Sequence, residues 1–446
     1  MVQSKSSFSL SRSAEYMSRA EQSLARGVGS IARHRQLSPP PVVVHADGAH
    51  CQDIDGNHYV DFVMALGPLF LGHRPREVLE AVRRHLDSDA LLCGGPHPGE
   101  EELARLVCET LPCAERLIYC ASGSEALHAA IGIARATTKR RLVVKFDGHY
   151  HGWIDPLFVN APGLAPQRGA APLPTVPNED GAASPSDVMV VAWNDWSSLS
   201  AILGKYAQTV ACVVMEPVPC NFGTFLADPG YLERVKAACR EIGALLVFDE
   251  IITGYRLRLG GAQELLGVTP DLAAIAKAVA SGFQLAAVAG TEAAMASALE
   301  GPVRHGGTYN AAGPAVTAAC ATVRILRRDR DVLYPRLDDA GHRLASGIQR
   351  AGERRGLPLV VHQVGSVLQL LWNPRTPVRS YADALASPQW PIAALADRLL
   401  ARGVLAHERG LWYLSAAHTD ADIDVAVHAV DDALEELRPA LEDTRG

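Results

Sequence analysis

Lysine is scarce in this chain, which has 446 residues and only six lysines, at positions 5, 139, 145, 205, 236 and 277. Lysine and arginine together number 42 against 49 acidic residues, and no basic block of the kind that follows nucleic-acid phosphates is present. We therefore expect no nucleic-acid partner. No apolar run approaches the about 18 residues that suggest a membrane-spanning helix, so we also expect no membrane segment.

Several sequence motifs are also missing. The nine cysteines contain no C-x-x-C pair, which argues against a zinc knuckle or a thioredoxin-like site, and we expect no metal. Scattered thiols suit a reducing compartment, and the first 30 residues lack the apolar core of a signal peptide, so a cytoplasmic location is expected. The dinucleotide fingerprint G-x-G-x-x-G is absent as well, which weakens a nicotinamide-dependent dehydrogenase reading.

Short apolar segments alternate with helical segments between about residues 100 and 300. This alternation is typical of an α/β fold with a mostly parallel sheet, in which ligands bind at the carboxyl ends of the strands. The predicted strands cover residues 117–120, 142–146, 188–193, 210–215, 245–249, 272–276 and 286–289, and the clearest helices cover 125–136 and 231–242.

Both ends of the chain predict mixed α/β structure. Residues 42–62 alternate apolar and polar side chains, and their two Asp-Gly pairs are typical of hairpin turns. The C-terminal part predicts strands within 360–371 and near Val404 and Tyr413, and helices over 391–402 and 422–437. The segment 155–187 is rich in Pro, Ala and Gly, and an insertion of this kind is usually an active-site lid or disordered; we predict a lid.

Lys277 is the lysine most deeply flanked by apolar residues on both sides. Burial lowers the pKa of an ammonium, and the neutral amine is the nucleophile that forms a Schiff base. The alternative is an ordinary lysine whose stem packs while its head reaches solvent.

Other motifs follow predicted strands. Ser122, Gly123 and Ser124 open a helix, where free amides bind anions, although ordinary N-capping explains them equally well. Asp249 and Glu250 end an apolar strand about one βαβ step before Lys277, so we expect Asp249 and Lys277 to face one pocket. A protonated pyridine nitrogen would balance Asp249, and a salt bridge to Arg256 is the alternative partner for Glu250.

A further motif, around Tyr150, follows the strand 142–146. His149 and His151 flank Tyr150, whose flat ring is suited to stacking. Two histidines at this spacing suggest a metal, but no third ligand is apparent, so structural or substrate-loop roles are favoured.

Taken together, these motifs resemble the fold-type I pyridoxal phosphate enzymes, specifically the class III aminotransferases and their glutamate-1-semialdehyde aminomutase-like branch. The resemblance covers nearly the full chain, from Asp47 to Asp420. Its most specific segments are 248–256 (FDEIITGYR), 260–263 (GGAQ), 270–277 (PDLAAIAK), 67–68 (GP), 71–73 (LGH) and 305–309 (HGGTY).

The resemblance implies a large pyridoxal phosphate-binding domain over 79–330 and a smaller α+β domain built from 1–78 and 331–446. It also implies a homodimer with shared active sites. Lys277 would form the Schiff base with pyridoxal 5′-phosphate and move a proton, and Asp249 would bind the pyridine nitrogen. The remaining implied cofactor contacts are Tyr150 and Ile251 on the ring faces, Ser122, Gly123 and Ser124 at the phosphate, Glu216 and Asn221 at the other ring edge, and Thr308 at the phosphate of a neighbouring subunit.

Two reactions fit this resemblance. We favour an aminotransferase that moves an amino group between an amino acid or amine and a keto acid; the alternative is an aminomutase that moves it within one substrate. Arg33 matches a carboxylate-binding arginine of the aminomutase, whereas Arg409 resembles an arginine of members that transaminate aryl or β-amino acids. Either arginine could instead form a surface ion pair.

Some positions depart from the aminomutase pattern. Leu66 replaces a tryptophan before Gly67, and Phe283 and Gln284 follow Lys277 where a glycine triplet and Leu-Pro are usual. These departures weaken the aminomutase reading. A non-catalytic pyridoxal-binding protein is disfavoured because Lys277 and Asp249 are both present.

Overall fold

The computed structural model describes residues 8–92, 94–154, 157–158, 187–373 and 375–442. The predicted lid, 155–187, falls outside the described residues except at positions 157, 158 and 187. The strands are β1 Val43–Asp47, β2 His50–Asp53, β3 His58–Asp61, β4 Arg116–Cys120, β5 Leu142–Phe146, β6 Val188–Val191, β7 Val210–Met215, β8 Leu245–Glu250, β9 Leu272–Ile275, β10 Ala286–Gly290, β11 Leu359–Val364, β12 Val367–Trp372, β13 Val404–Leu405 and β14 Leu411–Tyr413. The helices are α1 Ser11–Ala20, α2 Arg76–Ser88, α3 Pro98–Thr110, α4 Gly123–Thr138, α5 Trp196–Lys205, α6 Tyr231–Ile242, α7 Gly261–Leu266, α8 Glu292–Leu299, α9 Gly313–Arg354, α10 Tyr381–Leu385, α11 Gln389–Leu400 and α12 Asp420–Glu442.

A seven-stranded sheet of order β4-β10-β9-β8-β7-β5-β6 forms the centre of the molecule. Its strands run parallel except β10, which is antiparallel to both of its neighbours. The predicted mostly parallel sheet is therefore confirmed, with strand ends displaced by at most two residues. The apolar runs lack polar alternation because both faces of this sheet are covered.

Alternate side chains of each central strand enter two separate cores. In β9, Leu272 and Ala274 pack with Leu127 and Ile131 of α4 on one face. On the opposite face, Ala273 and Ile275 join a larger core that includes Val316, Val323 and Leu326 of the long helix α9. These helices fix the sheet between them, so the carboxyl ends of β8 and β9 have a defined position.

Segments from both ends of the chain combine in a second sheet of order β1-β2-β3-β13. The predicted hairpins around residues 47–48 and 55–56 are present, and Val60 of β3 pairs in parallel with Val404 of β13. A third sheet has the order β11-β12-β14. The pairing of β3 with β13 agrees with a small domain made from both termini, while the boundaries 1–78, 79–330 and 331–446 stay predictions.

Within the part of the chain that the structure describes, no helix combines the length and apolarity required to cross a bilayer.

Candidate active site

A cavity of about 220 Å³ opens at the carboxyl ends of β8 and β9. It brings together most of the residues that the sequence singled out. Its lining residues are Ser122, Gly123, Ser124, Leu127, Tyr150, His151, Gly152, Trp153, Glu216, Val218, Asn221, Asp249, Ile251, Ile252, Thr253 and Lys277. Asp249 lies opposite Ala274 in the register of β8 and β9, three residues before Lys277, which explains why the two side chains share one cavity.

Lys277 begins a short 3₁₀ turn, Lys277–Ala280, directly after β9. Its backbone is left-handed, with φ of 48°, a conformation that is uncommon for a side chain of this length. Burial lowers the pKa of its amine to about 8, against the opposing charges of Asp249 and Glu216. Among the described residues no carboxylate lies within 4.0 Å of the amine, and its lowered pKa leaves a larger neutral fraction near neutral pH than an exposed lysine has.

Lys145 is a second lysine that the fold places in apolar surroundings, and the sequence motifs did not single it out. It lies inside β5, is fully buried, and has a pKa lowered to about 8 by burial. Its amine donates to the carbonyl oxygens of His149 at 3.0 Å and Leu157 at 2.9 Å. Because these bonds direct it into the loop after β5 and away from the cavity lining, Lys145 has a structural role.

Asp249 is held by two donors. Its Oδ1 accepts the amide of Ile251 at 3.1 Å, and its Oδ2 lies 2.8 Å from Nδ1 of His151. Burial raises the pKa of this carboxyl to about 7 and holds the pKa of the His151 imidazole well below its usual value. A neutral imidazole donating from Nδ1 orients the carboxylate toward the cavity.

His151 is the functional contact that the sequence did not assign. The spacing of His149 and His151 suggested a metal, with structural or substrate-loop roles favoured, and the described residues contain no cluster able to hold a metal ion. His149 instead accepts the amide of Glu216 through Nδ1 at 2.9 Å. The two imidazoles therefore position the two acids of the cavity, Asp249 and Glu216.

Glu216 is buried beside the cavity and accepts two hydrogen bonds at Oε1. The donors are the amide of Tyr150 at 2.8 Å and the side-chain amide of Asn221 at 3.0 Å. Burial and the nearby charge of Asp249 raise the pKa of Glu216 to about 8. In the cofactor-free chain this carboxyl is mostly protonated at neutral pH, which leaves Oε2 able to donate a hydrogen bond.

The suggested salt bridge between Glu250 and Arg256 is wrong. The buried carboxylate of Glu250 accepts the hydroxyl of Thr253 and the amides of Ala262 at 2.9 Å and Gln263 at 3.1 Å. It therefore satisfies the first turn of α7, where backbone amides have no acceptor within the helix. The guanidinium of Arg256 binds elsewhere.

The start of α4 provides an anion-binding position. Ser122 is the N-cap of this helix, accepting the amide of Glu125 at 3.3 Å, so its hydroxyl performs ordinary capping. The amides of Gly123 and Ser124 come next and have no intrahelical acceptor. A Cβ on Gly123 would lie 3.0 Å from the side chain of Ile251, and one on Gly152 would overlap the hydroxyl of Ser124. Both glycines keep this end of the cavity open.

Three predicted site residues lie outside the cavity lining. Arg33 is exposed and ends the 3₁₀ turn Ile31–Arg33, and Thr308 is exposed. Arg409 is partly buried, and its charge opposes the burial-driven rise in the pKa of Tyr150, a residue of the cavity lining. Among the described residues no carboxylate lies within 4.0 Å of Arg33 or Arg409, so the surface ion-pair alternative is not supported for either.

The donor set fits a phosphorylated pyridine aldehyde. Free amides stand at the start of α4, and the buried acid Asp249 and the amine of Lys277 line the same cavity without forming an ion pair within 4.0 Å. A group with a phosphate, a basic ring nitrogen and an aldehyde matches these three positions in charge and chemistry.

Comparison with known proteins identifies the class. Residues 31–434 match the class III aminotransferase family, and the chain belongs to that family. It is 37% identical to the glutamate-1-semialdehyde 2,1-aminomutase of Desulforudis audaxviator (strain MP104C) over 428 residues, 95% of this chain and 97% of that protein. The chain is therefore a fold-type I enzyme whose cofactor is pyridoxal 5′-phosphate.

Solved structures agree in fold. A transaminase with PLP bound superimposes with a TM-score of 0.86 and 26% identity over 98% of this chain and 100% of that chain. A β-phenylalanine aminotransferase from Variovorax paradoxus superimposes with a TM-score of 0.85 and 27% identity, over 97% of this chain and 95% of that chain. Both transaminases and an aminomutase are thus among its relatives.

The raised pKa of Glu216 predicts a measurable pH dependence of stability in the cofactor-free protein. A carboxyl whose folded-state pKa is about 8, above its unfolded value of 4.5, binds an extra proton in the folded state. Its contribution to the free energy of unfolding therefore falls as the pH rises from about 4.5 through 8. We expect Glu216→Gln to lessen this fall, with more stabilisation at pH 9 than at pH 5 by urea unfolding.

The matched control is Glu300→Gln at an exposed position, which should not alter the pH dependence. An equal effect of Glu216→Gln at both pH values would contradict the assignment.

Proposed function

We propose that the protein is an aminotransferase that moves an amino group between an amino acid or amine and a keto acid, with Lys277 as the residue that carries the cofactor. The observation behind this choice is the guanidinium of Arg409. It is partly buried, its charge acts on Tyr150 of the cavity lining, and no carboxylate lies within 4.0 Å of it among the described residues. A permanent cation in that position is suited to the carboxylate of a substrate that must enter and leave.

The surroundings of Arg409 support this role. Its charge lowers the pKa of Tyr150, of Tyr381 in α10 and of Tyr413 in β14, against the rise that burial causes in each. Its backbone is fixed, because Gln369 donates to its carbonyl oxygen at 2.6 Å and its amide donates to Nδ1 of His407 at 3.1 Å. A cation close enough to act on these three tyrosines favours substrates that combine a carboxylate with an apolar or aryl group.

The roles of the other residues follow from their contacts. Pyridoxal phosphate, when bound, supplies an aldehyde for the amino group and a ring that accepts electrons. Asp249, oriented by His151, would pair with the ring nitrogen, and Gly123 and Ser124 would bind the phosphate through their amides. Lys277, with its lowered pKa, would hold the aldehyde carbon and carry the proton during transfer. Tyr150 and Ile251 would enclose the ring, and Glu216 with Asn221 would line its edge.

An aminomutase of the glutamate-1-semialdehyde type is the second candidate. It is favoured by the 37% identity to an aminomutase over nearly the whole chain. In that case one substrate would serve as both donor and acceptor, and Arg33 would bind its carboxylate. The exposed position of Arg33 in the single chain is a weaker basis than the partly buried position of Arg409.

A homodimer completes this proposal. Trp153, which lines the cavity, is 78% exposed, and Tyr309, next to Thr308, is 69% exposed. Large aromatic side chains in such positions are typical of surfaces that another protein covers. A second copy on this face would bring Thr308 toward the phosphate of its neighbour.

Lys277→Ala should abolish the covalent link to the cofactor. The wild-type protein should be yellow, with an absorption band near the visible–ultraviolet border that borohydride bleaches irreversibly, leaving the cofactor on Lys277. Peptide mass spectrometry locates the adduct. Lys145→Ala is the matched control, because it removes a lysine whose pKa is also lowered to about 8 but which lies outside the cavity lining. A reducible band that persists in the Lys277 variant and disappears in the Lys145 variant would reverse the assignment.

Arg409→Ala should weaken binding of the keto acid. Loss of a hydrogen bond to a charged group costs about 1.5–3 kcal/mol, and each 1.4 kcal/mol is about tenfold. We expect the KM of the acceptor to rise about tenfold or more in steady-state assays, with Arg33→Ala as the comparison variant.

The same assays separate the two candidate functions. If the protein is a transaminase, a free keto acid returns the amino form of the cofactor to the aldehyde form. Isomerisation of an amino aldehyde without any response to keto acids would establish the aminomutase, and a larger effect at Arg33 than at Arg409 would support it.

The holoenzyme should be a dimer by light scattering under assay conditions. Thr308→Ala should lower cofactor affinity by about tenfold, since one hydroxyl bond to a charged phosphate is worth about 1.5–3 kcal/mol. Mixed dimers of Thr308→Ala and Lys277→Ala subunits test whether each cofactor site is built from two subunits. A monomer with full activity would refute the shared site.

A further inference from the structure

Arg256 is a buried cation that the proposed reaction leaves without a role. It is 1% exposed, in the loop between β8 and α7, and among the described residues no carboxylate lies within 4.0 Å of its guanidinium. Burying a charge without a counter-ion is costly, so the contacts that hold it must be extensive.

The guanidinium joins three distant parts of the chain. Nη2 donates to the carbonyl oxygen of Gly67, and Nη1 donates to the carbonyl oxygen of Leu414 at 2.9 Å and to Oγ of Ser366 at 3.2 Å. The rings of Phe70 and Tyr413 lie 4.8 Å and 5.1 Å from its central carbon. Aromatic faces stabilise a cation without neutralising its charge.

Gly67 ends a strained turn. Met64, Ala65 and Leu66 have φ of 46°, 54° and 67°, and Gly67 has φ of 110°. Consecutive left-handed residues other than glycine are unfavourable and persist only where the surroundings enforce them. On the N-terminal side, Oδ1 of Asp61 accepts the amide of Met64 at 3.0 Å. On the C-terminal side, Arg256 binds the carbonyl of Gly67.

The strained turn packs on the proposed catalytic lysine. A Cβ on Gly67 would lie 3.6 Å from Cδ of Lys277 and 3.3 Å from Cε1 of Tyr413. These distances show that Gly67 faces the stem of Lys277 and the ring of Tyr413. The bond from Arg256 to Gly67 therefore sets the wall against which this lysine lies.

We propose that Arg256 is a positioning residue that clamps the turn Met64–Gly67 against Lys277 and keeps an unneutralised positive charge near its amine. This inference rests on the proposed function of Lys277. The groups that act on the amine are Asp249 of β8, Glu216 and Cys220 of the segment after β7, and Arg256; the first three raise the pKa of Lys277 and Arg256 lowers it. Arg256 therefore favours the neutral amine that attacks the cofactor aldehyde.

Two substitutions separate the effect of the hydrogen bonds that Arg256 makes from the effect of its positive charge. Arg256→Met keeps an unbranched apolar stem but removes the guanidinium, with its charge and its hydrogen bonds. Arg256→Lys keeps the charge but cannot reach Gly67, Leu414 and Ser366 together, because lysine lacks the planar fork. Arg258→Met is the matched control, because Arg258 is two residues away, partly exposed, and paired with Asp338 at 2.9 Å.

The measurement is the rate at which the full-length, cofactor-free protein binds pyridoxal phosphate covalently at Lys277. Borohydride traps the adduct at each pH of a series, and the midpoint is the pH at which the rate is half of its maximum. Removing a nearby positive charge raises the pKa of the amine, so the midpoint for Arg256→Met should move to higher pH. Arg256→Lys should keep the wild-type midpoint. The kcat of Arg256→Lys should fall about tenfold with little change in KM. The reason is that a displaced Lys277 impairs the reaction more than it impairs substrate binding.

The outcomes are distinguishable. If wild-type protein forms no adduct at Lys277, the proposed function fails. If the adduct forms and Arg256→Met has the wild-type midpoint, the inference about Arg256 is overturned. Should Arg256→Met not fold, Arg256→Lys decides: a shifted midpoint, or wild-type kcat, overturns the inference, and an unshifted midpoint with reduced kcat supports it.

Discussion

Burial of ionisable groups without full charge compensation is the constraint on which this site depends. Asp249, Glu216 and Lys277 meet where burial dominates, so the carboxyl pKa values rise to about 7 and 8 and the amine pKa falls to about 8. Each group is thereby brought into the range where it can gain or lose a proton near neutral pH. A ligand with a cationic ring would pair with the buried carboxyl groups, and its aldehyde would react with the amine of Lys277. The unfavourable burial of these groups therefore favours ligand binding and also gives the groups their reactivity.

The scaffold meets this constraint with neutral partners. His151 and His149, whose pKa values burial holds well below the usual range, contact Asp249 and the backbone of Glu216. A charged partner in either place would neutralise its acid and remove the driving force for ligand binding. Glu250, which lies next to Asp249 in β8, is satisfied by a hydroxyl and two amides and is thereby kept apart from the cavity.

Much of the architecture could be predicted because the strands are buried on both faces. Runs such as Val210–Met215 are recognisable without any partner, and β7 has the predicted bounds. The antiparallel direction of β10 could not be predicted, because a short alanine-rich run carries no directional signal. Helix α4 starts two residues earlier than predicted because Ser122, rather than a later residue, is its N-cap.

The sequence predicted the site residues that a local pattern marks, but not the contacts between residues that are distant in the chain. Lys277 and Asp249 are recognisable because each interrupts or ends an apolar run. The burial of Lys145 was missed because its nearest neighbours include only short apolar flanks, and its carbonyl acceptors belong to the following loop. The pairing of His151 with Asp249 joins residues from different strand ends, so no local pattern contains it.

The pairing of β3 with β13 has a consequence for how the enzyme is made. Val60 and Val404 come from opposite ends of the chain, and contacts of such long sequence separation form slowly. During synthesis the central sheet can complete its seven strands before β13 leaves the ribosome. The N-terminal strands and the turn at Gly67 must then wait, with apolar surface uncovered, until the C-terminal part arrives. The wall beside Lys277 is therefore among the last parts of the molecule to assemble, and a nascent chain with a finished central sheet still lacks a working site.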